Sequence, residues 1–201
     1  MELLTPVEVR VLGALLEKDI TTPEYYPLTL NALQNACNQK SSREPMVSYN
    51  EETVTEALSS LQHKGLVLRI TGAGHRVEKW SHRLGEVLNL GRREISLLCV
   101  LMLRGPQTVG ELRGRTERMH EFADMEEVER VLETLAGREA GPLAAPAGRG
   151  RRVQLLGGPH EETAAPEPAA ARTPLEARVE ALERQLAEIR QQLESFRKQF
   201  E

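Results

Sequence analysis

Three observations predict a mainly α chain with small β-hairpins, an α+β fold of two similar halves followed by one more helix. Apolar residues keep a helical period three times and then switch to alternation. That whole order occurs twice, and an unbroken heptad seam closes the 201-residue chain.

The first helix is announced by Thr5-Pro6-Val7-Glu8, a capping oxygen three residues ahead of a Glu, with Pro at the first helical position. Behind it Val9, Leu12 and Leu16 share one face, as do Leu30, Leu33 and Cys37 in a second helix. Val54, Leu58 and Leu61 mark a third, capped by Asn50. Three short helices therefore fill residues 5–64. Then the period becomes two: Leu66, Leu68 and Ile70 alternate with Val67, Arg69 and Thr71, Gly72-Ala73-Gly74 interrupts, and residues 76–81 resume, which predicts a β-hairpin. Helix, helix, helix, hairpin is the order of a winged helix-turn-helix.

The same order returns in the second half. Ile95, Leu98, Cys99 and Met102 predict a helix, Val109 and Leu112 a short one, and Val128, Leu132 and Leu135 a third, with a hairpin from Leu143 to Leu156 turning near Gly148. Caps precede two of these, in Thr108-Val109-Gly110-Glu111 and Asp124-Met125-Glu126-Glu127. Glu8, Val9, Leu12 and Leu15 match Glu94, Ile95, Leu98 and Leu101 at an offset of 86. Thr29, Leu30 and Leu33 match Thr108, Val109 and Leu112 at 79, and Val54, Leu58 and Leu61 match Val128, Leu132 and Leu135 at 74. Offsets that shrink along the chain describe a duplicated domain with shorter connections in its second copy.

The organisation expected is a winged-helix domain at 1–83, a short apolar link at 84–90, a second winged-helix domain at 91–157, a Pro/Ala/Glu-rich linker at 158–172 and a coiled-coil helix at 173–201. The link is unlike a flexible spacer, so the two domains are expected to pack together. Stretch 158–172 has almost no core material. Beyond it, Thr173-Pro174-Leu175-Glu176 is another helix start. Val179, Leu186, Leu193 and Phe200 then fall at heptad position a, and Leu175, Leu182, Ile189 and Phe196 at d. So narrow a stripe suits self-association, and a homodimer is the simplest outcome.

Composition excludes several classes. The longest apolar run, Ile95 to Leu103, is less than half of the roughly 20 residues that span a bilayer. The start Met1-Glu2-Leu3-Leu4 offers no basic segment before an apolar one, and two distant cysteines, Cys37 and Cys99, suit a reducing compartment, so a cytoplasmic protein is expected. A net charge of −4 opposes non-specific coating of nucleic acid. No catalytic motif appears, the five histidines have no metal-ligand spacing, and neither cysteine belongs to a Cys-x-x-Cys pair. No enzyme activity, metal or cofactor is expected.

Two places could bind something. In a winged helix the third helix normally enters the major groove. Here it carries Glu51, Glu52 and Glu56 in the first copy and Glu126, Glu127, Glu129 and Glu133 in the second, the wrong sign for phosphates. Positive charge lies elsewhere: Lys64, Arg69, Arg76 and Lys79 around the first hairpin, Arg149, Arg151 and Arg152 on the second, and Arg113 and Arg115 on the short helix of the second copy. Such wings can grip a duplex backbone or the minor groove, while charges at hairpin edges also serve to block strand pairing. The loop from Asn38 to Pro45 sets Lys40 and Arg43 among Asn and Ser donors. It reads either as an anion-binding loop or as a helix C-cap with turn residues and a Pro stop.

Two stretches carry a resemblance. Thr21-Thr-Pro-Glu-Tyr-Tyr-Pro-Leu-Thr-Leu-Asn31 with Ala36-Cys-Asn-Gln-Lys-Ser-Ser-Arg-Glu-Pro45, and Leu103-Arg-Gly-Pro-Gln-Thr-Val-Gly-Glu-Leu-Arg113 with Arg118-Met-His-Glu-Phe122, resemble the YceH-like family over about residues 1–157. The resemblance implies a tandem winged-helix fold in a bacterial cytosolic protein, and brings no activity or site residues to transfer. Two functions stay open on the residues: contact with duplex DNA through basic wings, or protein–protein assembly through the acidic third helices.

The heptad seam makes a direct prediction. Sedimentation of the full chain should give a dimer, and a chain ending at Gly158 should run as a monomer; two monomers would remove the coiled coil. Glu176 against Arg197 and Glu183 against Arg190 favour an antiparallel pair, by roughly 0.2–1 kcal/mol per contact.

Overall fold

The computed structural model describes residues 2–71 and 77–158, so Arg76, the linker and the whole heptad seam lie outside the described residues. In the first lobe, helix α1 (Pro6–Thr21) is followed by a short strand β1 (Leu28–Thr29), helices α2 (Leu30–Cys37) and α3 (Glu51–His63), and strands β2 (Val67–Ile70) and β3 (Lys79–His82). A single-turn helix, α4 (Leu84–Val87), occupies the apolar link. The second lobe repeats the order with α5 (Arg92–Arg104), β4 (Gln107–Thr108), α6 (Val109–Thr116), α7 (Met125–Ala136), β5 (Ala144–Ala147) and β6 (Arg151–Gln154).

Each lobe closes a small antiparallel sheet, in the order β1-β3-β2 and then β4-β6-β5. The fold is α+β and winged-helix-like, with the first hairpin's strands where alternation predicts them and the second's between Leu143 and Leu156, as the repeated order predicts. The two-residue strands β1 and β4 are an addition: they pair with the far strand of each hairpin, Leu28 opposite Trp80 and Gln107 opposite Arg152. Trp80 is core, 7% exposed.

Local chemistry fixes the helix starts. The Thr5 amide donates to Glu8 Oε2 at 2.6 Å and the Glu8 amide to Thr5 Oγ1 at 3.2 Å, a reciprocal cap. Thr108 and Glu111 repeat it. Asn50 caps α3 and Asp124 caps α7. Glu127, in contrast, accepts from the Ala123 amide, one residue ahead of the cap. Thr29 caps α2, a role its place in the repeat matches to Thr108.

The lobes share one core because α1 and α5 pack on each other. Both are buried nearly all round, from Glu8 to Leu16 and from Ser96 to Leu103, as central helices are. At their crossing the Cys99 thiol faces the Gly13 carbonyl at 3.5 Å. Gly13 and Cys99 are equivalent positions of the repeat, so the two copies meet as an isologous pair does, within one chain. A Cβ at Gly13 would stand 3.0 Å from Leu103 Cδ2 and 3.2 Å from Met102 Cβ. Outside the crossing, the Leu4 amide donates to Leu156 O and the Glu44 amide to Leu103 O, each at 2.8 Å. Both cysteines are fully buried, and burial pushes the Cys37 thiol up to about 12 and Cys99 upward as well, so neither is poised as a thiolate.

Glu8 also ties α1 to the end of α3. It is 2% exposed and receives Lys64 Nζ at 2.8 and 2.9 Å. Burial alone would raise its pKa, but hydrogen bonds with Lys64, Ser60 and the Thr5 backbone, and the Lys64 charge, hold it below the usual carboxylate value.

Both the crossing and the Glu8 pair can be tested by unfolding. Gly13→Val overfills the α1–α5 crossing and should cost about 1–3 kcal/mol in denaturant unfolding; an unchanged midpoint would show that the crossing yields. Because the Glu8 pKa is lowered on folding, its contribution is complete above the unfolded value and is lost as pH falls through the folded one. Lys64→Ala should thus cost about 1–3 kcal/mol at pH 7 and less at pH 3, and an equal cost at both would reject the pair as the cause.

Candidate anion-binding surfaces

The wing cations divide by what already holds them. Lys64 Nζ is held by Glu8 and donates to Leu3 O at 3.1 Å. Arg69 pairs with Glu78 across the hairpin. Arg113 donates to Phe122 O at 3.3 Å and Ala123 O at 3.0 Å, anchoring the turn before α7. Arg151 donates to Pro106 O at 2.8 Å and lies 3.6 Å from Glu111, while Arg115 lies 3.4 Å from the same carboxylate. Arg149 is exposed in the second turn with φ 60°. Lys79 and Arg152 are half-buried on the central strands of their sheets and have no ion-pair partner among the described residues.

One placement recurs. Lys79 is paired in register with Thr29, and Arg151 with Thr108. These threonines are the N-caps of α2 and α6, so in both lobes a wing cation stands beside the start of the second helix. Outward faces of the third helices remain acidic, with Glu51, Glu52 and Glu56 exposed on α3 and Glu126, Glu129 and Glu133 on α7.

The loop after α2 is built differently from an open anion loop. Arg43 points inward with its side chain fully buried. It donates to Ala36 O at 3.0 Å and Ser42 O at 3.0 Å, and makes a bidentate pair with Glu17 at 3.0 and 2.6 Å. Arg10, also buried, holds the loop ends through Cys37 O at 3.2 Å and Pro45 O at 2.6 Å. The donors of Arg43 thus face Glu17 and the loop's own carbonyls, and it shapes the loop, in keeping with the C-cap and turn reading. Lys40 is exposed on the loop's outer side.

Folding brings Lys40 into a group that the sequence does not display. Lys18, Lys40, Arg104, Arg115 and Arg118 line one cleft of about 480 Å³ between the lobes. Lys18 and Arg104 are equivalent positions of the repeat, each in the last turn of its helix, so the α1–α5 packing brings the two helix ends to one place. Taken separately each is an ordinary last-turn cation facing a helix dipole. The repeat offset of 86 is the signal that pairs them. Arg104 Nη2 donates to Ser42 Oγ at 2.6 Å, closing loop against helix. Burial lowers the Arg104 pKa and the nearby Arg115 and Arg43 charges lower it further, against Glu17 and Glu44. Glu17 itself is kept below the usual carboxylate range, because hydrogen bonds and charge from Arg43 outweigh burial.

Among the described residues no group of three or more His, Cys, Asp or Glu is placed to hold a metal ion, and no helix is long and apolar enough to cross a membrane.

A family model described as "Protein of unknown function, DUF480" matches residues 4–150. A UPF0502 protein of Solibacter usitatus is 52% identical over 205 residues, covering 98% of each chain. One of Opitutus terrae is 57% identical over 143 residues, 71% of this chain and 62% of its own. The UPF0502 protein YceH of Salmonella paratyphi A is 46% identical over 208 residues, 96% of this chain and 95% of its own. With a family model spanning both lobes and relatives this similar over nearly the whole chain, this protein belongs to the bacterial DUF480 family, the YceH-like family that its motifs resemble.

Proposed function

We propose that this chain is a non-enzymatic, cytoplasmic binding protein that contacts the backbone of duplex DNA through its two wings. The observation that supports this reading best is the duplicated placement of Lys79 and Arg151 beside the N-caps of α2 and α6. A helix start carries positive potential and a cation next to it suits a phosphate, which at α6 would replace Glu111 as the partner of Arg151. Two such places in one packed unit suit a regularly charged strand. The carboxylates on α3 and α7 oppose the usual insertion of a third helix, so contact by this route is to backbone more than to base edges. A dimer formed through residues 173–201 would bring four wings to one duplex and raise the effective concentration of each.

A second reading rests on a different surface. Met125 is 56% exposed at the start of α7, next to the exposed Glu126 and Glu129, an apolar spot with an acidic rim that would suit a basic protein partner.

Titration of DNA binding against salt tests the first reading. Log affinity should fall with log salt, and replacing Arg76, Lys79, Arg149, Arg151 and Arg152 by Ala should flatten that slope by about 0.9 for each phosphate no longer neutralised, alike for all sequences. An unchanged affinity in this variant would reject wing binding. Glu126→Lys with Glu129→Lys should strengthen DNA binding under the first reading, whereas failure to hold a protein partner in the same variant would favour the second.

A further inference from the structure

We propose that the cleft between the lobes is a binding site for a phosphorylated small molecule of nucleotide size. It is separate from the wings and does not rest on DNA contact. The cleft holds about 480 Å³, within the roughly 300–1,000 Å³ usual for small-ligand sites. Its walls have two characters: Lys18, Lys40, Arg104, Arg115 and Arg118 supply cations, and Val100, Leu103 and Met119 supply an apolar side. Multiply charged phosphate would meet the first and an organic group the second.

Charge balance argues that the cations are not there merely to neutralise the protein. Glu17, in the wall, is already held by Arg43 at 2.6 Å, with Lys18 farther off at 3.6 Å, and Glu111 is held by Arg115 at 3.4 Å and Arg151 at 3.6 Å. Glu44 acts on Arg104 only through space. Lys40 and Arg118 are exposed and have no ion-pair partner among the described residues. Three helices, α1, α5 and α6, end near the cleft, and their carbonyl ends would draw one or two cations. Arg104, at one of those ends, is half-buried with the Arg115 and Arg43 charges beside it as well as Glu17 and Glu44. Positive charge is in surplus there, and an incoming anion would relieve it.

The site is also prepared. Arg43 and Arg10 fix the loop that carries Lys40, and Arg104 reaches Ser42 Oγ across the lobe boundary. The loop backbone that carries Lys40 and the side chain of Arg104 are therefore fixed before a ligand arrives, which spares the ligand the ordering entropy of a floppy loop. A molecule bound there touches both lobes at once, so it would stiffen their junction.

Calorimetry with pyrophosphate and with adenosine triphosphate, against chloride at equal ionic strength, tests the proposal on the full chain. Saturable binding is expected, tighter for the triphosphate because of the apolar wall. Lys40→Ala with Arg118→Gln, both exposed and so safe for folding, should weaken it at least tenfold. A wing variant that spares Arg151, with Arg76, Lys79, Arg149 and Arg152 replaced by Ala, should bind as the parent does. Absence of saturable binding, or equal binding by the cleft variant, overturns the proposal. Displacement of both probes by duplex DNA, abolished in the cleft variant, would show instead that the cleft holds a nucleic-acid backbone, and would also overturn it.

Discussion

The packing of α1 on α5 at Gly13 and Cys99 is the constraint on which the rest of the described structure depends. Without a side chain at position 13 the helices approach until Leu103 and Met102 lie against the Gly13 backbone, and both helices become central to one core. Duplication explains why the two surfaces fit. A domain that pairs with its own copy needs one self-complementary patch, here with a small residue on one side and a thiol on the other. The departure from strict symmetry, Gly against Cys, lets one chain specialise each half of an interface that two identical chains would have to share.

From that crossing the placement of charge follows. Because α1 is buried along its length, its polar residues Glu8, Arg10 and Glu17 must be answered internally, by Lys64, by backbone carbonyls and by Arg43. The answers tie α1 to two parts of its lobe: the end of α3 through Glu8, and the loop after α2 through both Arg10 and Glu17. The buried ions thus orient elements more than they stabilise them, since desolvation offsets much of their attraction. Cations used this way are paired inside the fold, whereas Lys40 and Lys79 have no ion-pair partner among the described residues, although all four look alike in the sequence.

Much of the fold is legible in the sequence because it rests on local chemistry. The caps at Thr5, Asn50, Thr108 and Asp124 act within four residues, and the alternation at 66–70 is a property of one strand. The strands β1 and β4 are not legible, since two residues carry no period and exist only by pairing with a strand far along the chain, Thr29 with Lys79 and Thr108 with Arg151. Sites are harder still. Lys40 and Arg115 are each visible as cations, but nothing local places them around one cavity. Which of its two readings Arg43 follows is hidden for the converse reason, as its partner Glu17 belongs to a helix that ends before the loop begins.

The repeat supplies information that neither half contains alone. A cation in the last turn of a helix is commonplace, but Lys18 and Arg104 are the same position counted twice, and the isologous crossing brings equivalent positions together. Any residue near that crossing is therefore presented in duplicate to one region. Wing residues far from it, such as Lys79 and Arg151, are duplicated too, yet each serves its own sheet. In the single chain the two sides of the crossing differ, the first carrying a loop held by Arg43 and the second the arginines of α6 and the turn after it.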